Sequence, residues 1–71
     1  MKNIFEGAKF GDKFINIKNE ICIFIGKSFE YEDAVRIMYE DGTQTLEYDL
    51  DGNWVINGKA EYTVYSIKDK C

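Results

Sequence analysis

Apolar and polar residues alternate along this chain in short runs, a period of two that builds half-buried strands rather than helices. Residues 11–17 (GDKFINI) predict a first strand, and Lys18-Asn19 a tight turn, because Asn tolerates a positive φ. Residues 20–27 (EICIFIGK) predict the strongest strand. Ile21, Ile23 and Ile25 share one face and Cys22 and Phe24 the other, so both faces are expected to be covered. Residues 28–33 (SFEYED) are polar and acidic and read as a loop, or as a helical turn capped by Ser28 with Glu30 and Glu32 at its positive end.

Residues 34–40 (AVRIMYE) resume the strand pattern with Val35, Ile37 and Tyr39 on one face. Asp41-Gly42 is the best hairpin signal in the chain. Residues 43–50 (TQTLEYDL) then return, with Leu46, Tyr48 and Leu50 inward and Thr45, Glu47 and Asp49 outward. Asp51-Gly52-Asn53 and Asn57-Gly58 predict two more turns, around a short strand at residues 54–56. A last strand is expected at residues 62–67 (YTVYSI), followed by a charged tail ending in Cys71.

Composition supports the same class. Nine Ile stand against two Leu, proline is absent, and five Phe, five Tyr and one Trp supply large side chains for a small core. With 71 residues there is room for one domain. The expectation is an all-β domain over residues 1–71, a small antiparallel barrel of five or six short strands.

The missing chemistry narrows function. Without any His, the commonest general base and the usual zinc nitrogen ligand are gone. Cys22 and Cys71 have no partner at metal or disulfide-framework spacing, and Cys22 reads as a small buried hydrophobe. Residues 47–53 imitate the start of a calcium loop, but the twelfth position from Glu47 is Gly58, where a bidentate Glu is needed. Gly26-Lys27-Ser28 imitates the end of a phosphate-binding loop, but Ile21 stands where the first glycine belongs. An enzyme is not expected, nor a metal or other cofactor.

Charge layout carries the functional expectation. Between Glu30 and Asp51 lie eight carboxylates (Glu30, Glu32, Asp33, Glu40, Asp41, Glu47, Asp49, Asp51) and one base, Arg36, a local balance of −7 in a chain of net charge −4. Such a field repels nucleic-acid phosphates and attracts a basic protein surface. Its plainest use is to keep a small β protein soluble and its edges unpaired. Its functional use is docking, with Phe29, Glu30, Tyr31, Glu32, Asp33, Glu40, Asp41, Glu47 and Asp49 as the expected partner-binding residues. Phe29 and Tyr31 are included because strand periodicity gives them no burial, and exposed aromatics make good interface anchors.

The segments Gly11-Asp12-Lys13-Phe14, Tyr48-Asp49-Leu50-Asp51-Gly52 and Tyr65-Ser66-Ile67 resemble small SH3-like barrel proteins, many of them encoded by phages and mobile elements. The resemblance implies a barrel that binds nucleic acid, peptide or another subunit. For so acidic a member it implies a phage inhibitor of a host nucleic-acid-handling or immune protein, such as a nuclease. A small-molecule or nucleotide sink and a self-assembling accessory subunit are the competing expectations. The run from Met1 to Gly7 reaches a charge before any leader core forms, so a place in the host cytoplasm is expected, with no membrane partner.

Overall fold

A computed structural model describes residues 3–70, with the backbone alone at 69 and 70. Its elements are β1 (Lys13–Asn16), β2 (Ile21–Lys27), β3 (Ala34–Tyr39), β4 (Thr45–Asp49), β5 (Trp54–Ile56), β6 (Lys59–Glu61) and β7 (Ile67–Lys70). They form one antiparallel sheet in the order β6-β5-β4-β3-β2-β1-β7. No helix is present among the described residues, and so none long and apolar enough to cross a membrane.

The all-β expectation holds, but the described residues form seven strands and the ladder does not close into a barrel: β6 and β7 remain edges. The expected strand at residues 62–67 is also corrected. Asn57, with φ of 53°, and Gly58, with φ of 80°, reverse the chain at once, so Lys59–Glu61 pairs with β5. Residues 62–66 are then a turn fixed by hydroxyls. Thr63 Oγ1 accepts from the Tyr65 amide, and Ser66 Oγ accepts from the Trp54 and Thr63 amides while donating to the Glu61 carbonyl. Local hydrogen bonding outweighs the strand propensity of Tyr, Thr and Val. The supposed tail is the strand that pairs with β1, although Cys71 lies outside the described residues.

The open sheet is strongly curled. The Ile67 amide donates to the Gly52 carbonyl at 2.8 Å, joining the start of β7 to the β4–β5 turn, and the Ile4 amide donates to the Leu50 carbonyl at 2.9 Å. Principal extents of 25 × 24 × 23 Å reflect this wrapping. Curling encloses Phe5, Phe14, Cys22, Phe24, Val35, Ile37, Tyr48 and Ile67. The Phe5 and Phe14 rings meet edge to face at 5.0 Å, a favoured quadrupole geometry. A bulge between Phe24 and Gly26 lets Ile25 go unopposed and bends β2 around this core.

Burial also sets an alkaline limit. Desolvation, then the charge of Glu20, pushes the Cys22 thiol from 9.0 up to about 11, and the same two causes lead in raising Tyr39 from 10.0 to about 12. The folded chain therefore holds these protons more tightly than the unfolded chain. This contribution to stability is complete below about pH 9 and is lost as pH rises through 9 to 12. Denaturant midpoints measured across that range in a C71S background are expected to fall steadily, and Cys22 to react with a thiol reagent only on unfolding. A flat profile, or rapid labelling of the native protein, would contradict the burial described.

Candidate functional site

The hairpin of β3 and β4 determines where the acidic residues go. Its register sets Ala34 opposite Asp49, Arg36 opposite Glu47 and Met38 opposite Thr45. The carboxylates between Glu30 and Asp51 consequently do not form one continuous face. They divide between the two ends of the hairpin, roughly 17 Å apart at the rise of a six-residue strand. Glu47 lies near the loop end of the hairpin and is paired with Arg36.

At one end lies the loop of residues 28–33. Phe29 is 89% exposed, Glu30, Glu32 and Asp33 are exposed, and Tyr31 is half-buried against the β5–β6 turn. None of these three carboxylates forms an ion pair among the described residues. Asp33, Asp49 and Asp51 gather around Leu50 in an adjoining hollow of about 310 Å³. Asp49 serves the turn itself: its Oδ1 accepts from the Asp51 and Asn53 amides at 3.0 and 2.8 Å.

Glu47 belongs to the same end but is a support rather than a contact. The Arg36 Nε donates to its Oε2 at 2.8 Å, and the Ser28 hydroxyl donates to its Oε1. Ser28 Oγ in turn accepts from the amides of Glu30 and Tyr31, both at 3.1 Å. The Arg36 guanidinium lies 5.1 Å from the centre of the Phe29 ring, within cation–π range. One carboxylate thus fixes both the polar start of the loop and the cation beneath its exposed ring. This role was readable in principle, since a hairpin centred between Asp41 and Gly42 sets residue 36 opposite residue 47.

At the other end, Glu40 and Asp41 stand beside the β1–β2 turn. Glu40 reaches Lys13 at 3.5 Å, with both side chains about half exposed. Asp41 Oδ1 accepts from the Thr43 amide and hydroxyl, which holds its carboxyl below the usual range. Asn16, fully buried, organises the facing turn: its Oδ1 accepts from the amides of Lys18 and Glu20, and its Nδ2 donates to Glu20 Oε1. The resulting open groove of about 510 Å³ is lined by Asn19, Glu20, Ile21, Tyr39, Glu40, Asp41, Thr43, Gln44 and Tyr65. Of the expected partner-binding residues, Glu40 and Asp41 line this groove, together with Glu20, Tyr39 and Tyr65.

Among the described residues no three His, Cys, Asp or Glu side chains are placed so that they could hold one metal ion. Comparison with protein-family models, with curated proteins and with solved structures found no match. The fold and the two acidic ends are therefore the observations from which a function is read.

Proposed function

We propose that this chain is a non-catalytic acidic binding module that docks on the basic surface of a protein partner. The observation that carries this reading is the loop of residues 28–33, where an 89% exposed phenylalanine stands among three unpaired carboxylates on a braced backbone. A rigid aromatic anchor buries area at low entropic cost, while the surrounding carboxylates steer a cationic partner and set its orientation. Loop order formed before contact leaves less entropy to lose on binding.

The partner class in this reading is a host protein whose cationic groove ordinarily holds nucleic acid, occluded by carboxylates standing where phosphates would. The curled sheet, with β7 folded back onto the β4–β5 turn, supports treating the scaffold as an open relative of SH3-like barrels. The buried thiol of Cys22 supports a reducing place of action, the host cytoplasm. Self-assembly through the β6 edge is opposed by exposed Lys59 and Glu61, charges that discourage strand addition.

The test uses a partner recovered from the native host on the immobilised protein and then purified. Affinity is expected to fall steeply with salt, and to fall roughly a hundredfold when Glu30, Glu32 and Asp33 become Lys, with F29A close behind. Undiminished binding by the folded charge-reversed variant would reject the proposal.

A further inference from the structure

We infer that the groove between the β1–β2 turn and the β3–β4 hairpin is a receptor for an arginine side chain of the basic partner. This rests on the preceding reading that the partner is basic, but it concerns the opposite end of the hairpin and names the anchor. The groove is more than a group of acids. Two tyrosines, Tyr39 and Tyr65, line it together with Glu20, Glu40, Asp41, Asn19 and Gln44.

Two features point to a cationic occupant. First, the Tyr39 hydroxyl oxygen is shielded from solvent and has no hydrogen-bond partner, the only such side-chain atom found among the described residues. Buried polar groups are ordinarily satisfied, and one left unmet beside a groove marks a place where a ligand supplies the missing bond. Second, the chain's own Lys18 places its ammonium 5.5 Å from the centre of the Tyr65 ring, within cation–π range. The cations that already reach the groove are on exposed side chains: Lys18 is exposed, the Lys13–Glu40 pair is long and solvated, and the Lys68 ammonium donates to Asn19 Oδ1 at 2.8 Å.

Guanidinium suits the lining better than ammonium does. It offers five donors in a plane and stacks on aromatic rings, whereas ammonium offers three donors from a compact, strongly hydrated charge. The groove is lined by Glu20, Glu40 and Asp41 on two facing turns, with Asn19, Gln44 and two tyrosines, one of which carries the orphan hydroxyl. A planar, forked cation between tyrosines can use several of these acceptors together. Reaching the Tyr39 hydroxyl requires exposed rim side chains, Asn19 and Glu40 among them, to move.

The experiment titrates the labelled full chain with the capped tripeptides Gly-Arg-Gly, Gly-Lys-Gly and Gly-citrulline-Gly, following amide shifts by NMR. Saturable shifts at Glu20, Tyr39, Asp41 and Tyr65 are expected with arginine, several-fold weaker with lysine and absent with uncharged citrulline. Y39F, which loses only the hydroxyl, is expected to weaken arginine binding roughly tenfold while leaving the fold intact or firmer. The pair E40Q/D41N should weaken it further. Equal response to arginine and lysine, undiminished binding by Y39F, or no localised shifts would each overturn the inference. Partner capture that still depends on Phe29 and Glu30 would then leave the binding-module reading standing, whereas loss of that dependence with arginine binding retained would remove the reading alone.

Discussion

Replacing Gly52 with alanine is expected to cost about 3 kcal/mol, from about 1–2 for a left-handed alanine and a similar amount for forced overpacking. Gly52 sits at φ of 88°, and an added Cβ would lie 2.5 Å from Ile4 Cδ1 and 2.8 Å from the Ile67 carbonyl oxygen. The isoleucine methyl can turn away. The carbonyl cannot, because the start of β7 is held there by the Ile67 amide's own bond to the Gly52 carbonyl. The clash therefore pushes on the contact that keeps the sheet curled.

A loss of that size is a large part of the stability expected for a domain this small, and should lower Tm by roughly 15 °C. Gly42 provides the control. Its φ is 74°, but a Cβ there meets nothing within 4 Å, so G42A should cost only the backbone part, about 1 kcal/mol. Thermal melts of the two variants check this directly. Equal, small effects would mean that β7 does not fold back onto the β4–β5 turn.

The second large effect is expected at Glu47. E47Q leaves the Arg36 guanidinium, itself about three-quarters covered, without its opposing charge, and weakens the acceptor for Ser28. Breaking a partly buried, hydrogen-bonded pair by neutralising one member should cost about 2 kcal/mol, less than for a fully buried pair. S28A removes the acceptor for two loop amides and should cost about 1 kcal/mol. The two losses should not add, since both act through one network. Denaturant titrations of the single and double variants measure this, and strict additivity would show that the network is not coupled. Both variants should also weaken partner binding although neither side chain need touch the partner.

The central strands were legible because β2, β3 and β4 are long enough for alternation to outweigh accident, and because Asp41-Gly42 fixes one register. The end of the chain was not. In residues 59–70 the most strand-like stretch, Tyr62 to Ile67, is mostly a turn, and the charged stretch beyond it is a strand. Local bonds of the Ser66 and Thr63 hydroxyls decide this together with two contacts to distant positions, Ser66 with the Trp54 amide and Ile67 with Gly52. The acidic bias between residues 30 and 51 was visible as composition. Its division into two ends follows from the register that Asp41-Gly42 fixes, whereas the bond of Ser28 to Glu47 depends on how the preceding loop folds over the hairpin.

Preorganisation of the loop at residues 28–33 is the claim on which the binding account rests, and backbone ¹⁵N relaxation measures it most directly. The account predicts order parameters near 0.85 at Phe29, Glu30 and Tyr31 in the unmodified protein, falling below about 0.6 in E47Q while β2 and β3 stay rigid. Values already below about 0.6 in the unmodified protein, or unchanged by E47Q, would contradict it.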